Sequence, residues 1–287
     1  MKKLLFTGIL ICGVSLSAET SNFDAAKKCV EAGDYKCAMQ YGMKDLDEDL
    51  KTHPKESEKI ATDYNNIGFY ATELGEYDKA MDYYTKALKI REKISGKEDR
   101  DTAEIYNNMA FVYAGQEKYQ QALNALAKAL KIQEKVLGKE DPAIAETYNN
   151  TAFIYFEQEK YQQALDYFTN ALKIQQKVLR KANQDIAKTY NNIATINAEQ
   201  GKYQQALDTL AKALKIQKKV LGKEDPELAK TYNNIAGVYT EQGKYQQALD
   251  YFAKALKIQE KVLGKEHPAT KNTLRGIEHI KKKMSSK

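Results

Sequence analysis

The sequence predicts an all-α protein, a solenoid of antiparallel helix pairs. Three observations predict it: a 42-residue period, helical spacing of apolar residues within each period, and a composition poor in helix breakers. The tripeptide Tyr-Asn-Asn recurs at Tyr64, Tyr106, Tyr148, Tyr190 and Tyr232 without a slip in register. A second ladder keeps the same period: Tyr77 with Ala80, Tyr119 with Ala122, Tyr161 with Ala164, Tyr203 with Ala206, and Tyr245 with Ala248. One step further back lies Tyr35 with Ala38, so a diverged copy precedes five clear ones. Units of this length bury their apolar faces only by stacking on their neighbours. Four prolines, no tryptophan, 43% hydrophobic and 29% charged residues complete a helical profile.

Four segments follow from the register: a leader over 1–18, the diverged copy over 19–57, five units over 58–268, and a C-terminal capping helix with a basic tail over 269–287. The leader reads as a secretory signal peptide: Met1-Lys2-Lys3 is basic, Leu4 to Leu16 is mostly apolar, and the small residues Ser15, Ser17 and Ala18 follow. Cleavage near Ala18 is favoured, although Leu16 is large for its place. Cys12 invites a lipoprotein reading, but Ile11 stands where a small residue is required. The expectation is export to the periplasm or beyond, with no membrane insertion of the mature chain, because the apolar run is too short to span comfortably. Losing Lys2 and Lys3 lowers the formal charge from +6 to +4. The 45 basic and 39 acidic residues are interleaved along helices, as on a solvated outer face, whereas a nucleic-acid groove gathers basic residues on one side.

The last copy shows the anatomy of a unit. Tyr232, Ile235, Ala236 and Tyr239 share one face of a first helix, Gly243-Lys244 breaks the pattern, and Ala248, Phe252, Ala255, Leu256 and Leu263 continue the buried stripe on a second. Gly264 supplies a C-terminal stop. Pro142, Pro226 and Pro268 stand behind Asp141, Asp225 and His267, where a first helical turn tolerates a missing N–H. The alanines of the second ladder let the two helices press close together. This spacing of Tyr232, Ile235, Ala236, Tyr239, Gly243, Tyr245, Ala248, Phe252 and Ala255 resembles the tetratricopeptide-repeat signature. The long second helix and its Leu-Gly-Lys-Glu-His-Pro exit are similar to the 42-residue kinesin-light-chain subtype. The match is strong from Glu58 to Pro268 and weak from Phe23 to Leu50, with Ala71 and Asn197 departing from the aromatic at Tyr113, Tyr155 and Tyr239.

The resemblance implies a right-handed superhelix whose first helices line a concave, peptide-binding surface. One residue per unit then forms a ladder on the inward stripe: Asn65, Asn107, Asn149, Asn191 and Asn233. A primary amide both donates and accepts, so it pairs with the backbone of an extended peptide whatever its side chains. In the family the first asparagine of the pair resembles the ligand-facing one, and the second (Asn66, Asn108, Asn150, Asn192, Asn234) ties one repeat to the next. A purely structural ladder stays open, since recently duplicated repeats share asparagine in any case. One turn after the ladder stand Phe69, Phe111, Phe153, Thr195 and Gly237, and three residues before it Thr62, Glu104, Glu146, Lys188 and Lys230. The expected groove is therefore apolar and acidic at first and basic later, with a ligand carboxylate near Lys188, Asn191, Lys230 and Asn233. The competing reading has the phenylalanines closing the inner packing and the charges drifting.

Other chemistry is sparse. His53, His267 and His279 lie apart, with no ligand spacing that repeats, and no phosphate-binding glycine loop or serine-centred nucleophile motif occurs. No catalytic residue, metal or cofactor is expected. Cys29 and Cys37, flanking Gly33-Asp34, are expected to form a disulfide, Cys29 in the register of Tyr113 and Cys37 beginning the facing helix; two buried thiols are the alternative. The segment from Ala269 to about Lys283 is expected to cap the stack, with Glu278 and Lys281 where Ala236 and Tyr239 are buried, and Leu274 and Ile277 on its apolar side. The function expected is a non-catalytic adaptor holding an extended segment of a cell-envelope or secreted protein of unknown identity. A homo-oligomeric scaffold is the alternative, and nucleic-acid binding ranks third.

Overall fold

Each repeat becomes two helices because its ends are chemically marked. The first helix of a unit starts on a side chain that accepts a backbone N–H left over by the first turn. Asp141 takes Ala143 N at 2.9 Å, Asn183 takes Asp185 N at 2.7 Å, and Asp225 takes Glu227 N at 2.8 Å, with Pro142 and Pro226 at the first helical positions. His267 does the same with an imidazole: Ala269 N donates to its Nδ1 at 3.1 Å. The structure, a computed structural model, describes residues 21–179, 183–222 and 224–285, so the leader expected over 1–18 lies outside the described residues.

Thirteen α-helices and no strand occur among the described residues, and the chain divides into two compact units. Residues 21–158 carry α1 (Ser21–Glu31), α2 (Tyr35–Thr52), α3 (Glu58–Glu73), α4 (Tyr77–Ile94), α5 (Arg100–Gly115), α6 (Tyr119–Val136) and α7 (Pro142–Glu157). Residues 159–285 carry α8 (Tyr161–Val178), α9 (Gln184–Glu199), α10 (Tyr203–Val220), α11 (Pro226–Glu241), α12 (Tyr245–Val262) and α13 (Pro268–Ser285). Within each unit every helix packs on the next, and first helices of successive repeats also touch: α3 on α5, α5 on α7, and α9 on α11. That alternation is the solenoid the period implies. No helix among the described residues is long and apolar enough to cross a membrane.

Within each unit the core sits between the two helices of a repeat. Ala80, Ala122, Ala164, Ala206 and Ala248 are wholly buried, as are Ala87, Ala129, Ala171, Ala213 and Ala255 two turns on, and this double row of methyls lets the helix axes approach. The large residue between them varies through Tyr84, Leu126, Phe168, Leu210 and Phe252. Its neighbours adjust: a Cβ on Gly68, where the other clear copies have alanine, meets the Tyr84 ring at 2.8 Å. Ala71, short of an aromatic, packs in the same cluster as Tyr84, so the ring restores the volume. In the diverged copy, Cys29 and Cys37 are joined across the α1–α2 turn, their Cα atoms 5.7 Å apart.

At the far end, α13 occupies the place of another first helix. Thr270, Thr273 and Ile280 are buried, Leu274 and Ile277 half-buried, and Glu278 and Lys281 exposed. Ile280, unremarked in the sequence reading, is thus the deepest apolar anchor of this helix. Gly276 stands one period after Asn234, and a Cβ there meets Phe252 at 2.9 Å.

The turn between the two helices of a repeat needs a left-handed residue. Glycine provides it at Gly75, Gly201 and Gly243 (φ 71–75°), but Glu117 and Glu159 adopt φ of 58° and 59° in the second and third clear copies. The bond pattern is the same: Lys118 N donates to Tyr113 O at 2.8 Å as Lys244 N does to Tyr239 O at 2.9 Å. A side chain with Cβ in this region is strained by about 1 kcal/mol. Glu117→Gly is therefore expected to raise the unfolding free energy by about 1 kcal/mol, measured by denaturant titration; an unchanged or lower midpoint contradicts the strain.

Candidate functional site

The polar residues of the first helices form hydrogen-bonded chains that run from one repeat into the next. In residues 21–158, the Asn107 amide donates to Thr147 Oγ1 of the following first helix at 3.0 Å and to its own-helix Ala103 carbonyl at 3.3 Å. Asn107 Oδ1 accepts from Asn150 Nδ2 at 3.4 Å, and Thr147 donates in turn to Gln133 Oε1 on α6 at 2.7 Å. In residues 159–285 the chain repeats: Asn191 to Thr231 (3.0 Å) and to Ala187 O (3.1 Å), Asn234 to Asn191 (3.3 Å), Thr231 to Gln217 (2.7 Å). A third set reaches the cap, Asn233 to Thr273 at 2.9 Å and Thr273 to Gln259 at 2.7 Å. With Gly276 in place of a second asparagine, Asn233 Oδ1 is buried without a hydrogen-bond partner.

For three of the five ladder residues this differs from the expected groove-facing role. Asn65, Asn107 and Asn191 are buried, at 6%, 8% and 6% exposure, with Asn149 and Asn233 half-buried. Both N–H groups of Asn107 and of Asn191 are committed within the protein, so neither has a donor left for a peptide backbone. Asn65 likewise accepts from Asn108 Nδ2 at 3.0 Å and donates to Glu104 at 3.5 Å. At the links Asn108–Asn65, Asn150–Asn107 and Asn234–Asn191, both asparagines of the pair join repeats. The threonines and glutamines that complete the chains escaped the sequence reading, although Thr147, Thr189, Thr231 and Thr273, and Gln133, Gln175, Gln217 and Gln259, keep the same period.

Toward the N-terminus the same positions hold charges. Asp49 and Asp63 stand where Gln133 and Thr147 stand two periods on, and Asp45 joins them. All three carboxylates are buried around Lys59 Nζ, at 3.5 Å from Asp45, 2.9 Å from Asp49 and 3.3 Å from Asp63. His53 Nδ1 lies 3.5 Å from Asp49. Burial works against the Lys59 charge, but the carboxylates outweigh it and raise its pKa. One ammonium cannot neutralise three carboxylates. Burial above all pushes Asp63 up to about 7, against the attraction of Lys59, with the Asp49 charge adding to the rise. A protonated Asp63 donates to Asp49 as Thr147 does to Gln133, so the junction keeps its pattern with a proton in place of a hydroxyl. The ammonium occupies the centre that a metal ion would need. At the next junction Arg91 replaces glutamine, reaching Asp101 at 2.9 Å and Thr62 Oγ1 at 3.0 Å.

The other groove candidates divide. Phe69 is buried at 5% exposure, edge-on to Tyr35 at 5.8 Å, so it closes the packing over α1 and α2 and does not meet solvent. Phe111 and Phe153 are half-buried on α5 and α7, helices that touch. Lys188 and Lys230 are partly exposed on α9 and α11, which also touch, and they pair with Asp185 (3.4 Å) and Glu227 one turn earlier. Those carboxylates offset their charge within the same helices. Glu104, partly buried, is pushed up to about 7 by burial and then by the Asp101 charge, against the pull of Arg100 and the Asn65 amide.

A family model for the tetratricopeptide repeat matches residues 58–135, 101–177, 185–261 and 227–282, so the chain belongs to the tetratricopeptide-repeat family. Among solved structures it is similar to BtubC (BKLC) from P. vanneervenii, at 22% identity and a TM-score of 0.67 over 87% of this chain and 95% of that one. It is also similar to a putative kinesin light chain from Podosopora anserina with nearly identical TPR-like repeats (22%, 0.60, 72% and 98%). A Rap protein complexed with Competence and Sporulation Factor is a third (17%, 0.64, 92% and 75%). At these identities the likeness is one of fold. A comparison with curated proteins gives no match.

The raised carboxylates set a pH dependence. Asp63 and Glu104 ionise near their ordinary values in the unfolded chain but at about 7 in the folded one, so the folded state holds more protons in between. Stability contributed by the protonated forms is present below about pH 4 and is lost as pH rises toward and through 7. The unit of residues 21–158 is expected to unfold at lower denaturant at pH 8 than at pH 5, and Asp63→Asn with Glu104→Gln to flatten that difference. A pH response identical in the double variant contradicts the assignment.

Proposed function

We propose that the chain is a non-catalytic adaptor that holds an extended segment of a cell-envelope or secreted protein along its first helices. Membership of a family whose proteins are interaction modules supports this reading. The observation that carries it is the pair Phe111 and Phe153: with Asn65, Asn107 and Asn191 committed between repeats, these are half-exposed aromatic groups on the inward stripe of adjacent first helices. Half-exposed aromatic groups on helices that touch offer a ligand an apolar contact. They would take a bulky apolar side chain of the ligand. Lys188 and Lys230, on the other unit, supply cations for a carboxylate, tempered by Asp185 and Glu227. Recognition by Asn107 and Asn191 is closed off, because both N–H groups of each amide are spent within the protein.

The proposed setting is outside the cytoplasm. The basic-apolar leader supports it, and so does the Cys29–Cys37 bond, since such bonds persist in oxidising compartments. Ordering a flexible peptide opposes binding, so an affinity on the order of micromolar is expected.

The test is a photo-crosslinker at position 111 in living cells, followed by titration of the captured segment. Phe111→Ala with Phe153→Ala, and separately Lys188→Glu with Lys230→Glu, are each expected to weaken binding about tenfold or more. If both double variants stay folded and bind that segment as the parent does, the ligand does not lie on these helices.

A further inference from the structure

Between α5 and α6 lies an open cleft of about 180 Å³, lined by Tyr106, Met109 and Tyr113 on one side and by Asn124, Ala125 and Lys128 on the other. Its origin is a missing ring. The residue at the position of Ala125 is Tyr83, Tyr167 and Tyr251 in the first, third and fifth clear copies, and Ala125 and Thr209 in the second and fourth. In the first and fifth copies the tyrosine fills the matching space. Tyr83 stacks on Tyr64 with centroids 6.0 Å apart, and Tyr251 lies between Tyr232 at 6.1 Å and Tyr239 at 5.7 Å. Tyr64 and Tyr232 are the counterparts of Tyr106, and Tyr239 is that of Tyr113.

The cation beside the cleft is left incomplete as well. Lys86 sits over two rings, Tyr64 at 5.7 Å and Tyr83 at 5.2 Å, and Lys254 sits 4.4 Å over Tyr251. Their counterpart Lys128 has only the counterpart of Tyr64 beneath it, Tyr106 at 5.2 Å. It also lacks a carboxylate. Lys86 pairs with Asp82 at 2.7 Å, whereas Asn124 takes that place in the second copy and accepts from Gln120 at 3.0 Å. An ammonium near an aromatic face is attracted by the ring's quadrupole. Two tyrosine walls, an alanine floor and a cation short of one ring thus define the complement of a phenol. The size agrees, since an apolar cavity of about 150 Å³ takes up benzene.

We propose that this cleft is a binding slot for a tyrosine side chain presented by a partner protein. The incoming ring takes the place of the tyrosine that copies one and five supply from within, between Tyr106 and Tyr113 and under Lys128. The slot is separate from the proposed peptide groove. Phe111 is five residues beyond Tyr106, about 140° round α5, whereas Phe153 packs on the cluster that holds Ala125, so Phe111→Ala alone is the variant that separates the two proposals.

p-Cresol, the tyrosine side chain as a free molecule, is the probe, and the ε-methyl groups of the methionines are the reporters in the full chain. Of the six methionines, Met109 lines the cleft. Saturable ring-current shifts are expected at Met109, with Met39 and Met81 unmoved, and 4-methylcyclohexanol is expected to bind at least fivefold more weakly. Ala125→Tyr is expected to move the Met109 signal without ligand, to abolish the p-cresol response and to raise the unfolding midpoint. Lys128→Ala, exposed and harmless to the core, is expected to weaken p-cresol at least threefold. No saturable shift at Met109, an equal response to the cyclohexanol, or a response that survives Ala125→Tyr overturns the proposal.

Discussion

The hydrogen-bonded chain from glutamine through threonine to the two asparagines is the interaction on which the stack depends. Alanine rows and variable large residues pack the two helices of one repeat, but they say nothing about where the next repeat sits. Gln133, Thr147, Asn107 and Asn150 do, because all four are polar, shielded from water, and satisfied only when successive first helices stand in one register. A slip leaves several buried groups unpaired at about 1–3 kcal/mol each. Apolar packing favours association of the repeats; the polar chain selects one way of associating. The N-terminal junction shows how strict the pattern is, since Asp49 and Asp63 preserve it by retaining a proton that an exposed pair would lose near pH 4.

The division of the chain into helix pairs was legible because it is written in the local code. A fixed period, Asp-Pro starts and Gly stops determine where helices begin and end without reference to anything distant. The helix α13 follows the same local code: Glu278, in the register of the buried Ala236, and Lys281, in that of the half-buried Tyr239, are both exposed. What could not be read was the direction in which a polar side chain is spent. Asn107 finds its partners 40 and 43 residues away, and helical spacing within one unit is silent about that. The useful signal was a threonine and a glutamine recurring with the asparagine among apolar neighbours. Phe69 misled for a related reason, because the diverged copy, with Tyr35, covers it.

The same reasoning separates the parts of the molecule free to vary from those that are not. Positions in the chain that joins repeats are linked, as where Arg91 and Ile105 jointly replace glutamine and threonine and the guanidinium turns to Asp101, and where Gly276 alone replaces an asparagine, Asn233 Oδ1 is left without a hydrogen bond. Positions facing solvent or a partner change singly, which is why Phe111 and Phe153 give way to Thr195 and Gly237 and why Tyr83 gives way to Ala125. Near-identical repeats thus carry different surfaces on one scaffold, and an adaptor gains specificity from the few positions that differ.

The most direct measurement of the central claim is a double-mutant cycle on Asn107 and Thr147, using Asn107→Ala, Thr147→Val and the pair, with stability read by denaturant unfolding. If the amide and hydroxyl join the repeats, each single change is strongly destabilising and the second adds much less than it does alone, with a coupling of roughly 1 kcal/mol or more. Changes that add to within about 0.3 kcal/mol would show that the two side chains do not act through each other, and that something else holds the repeats in register.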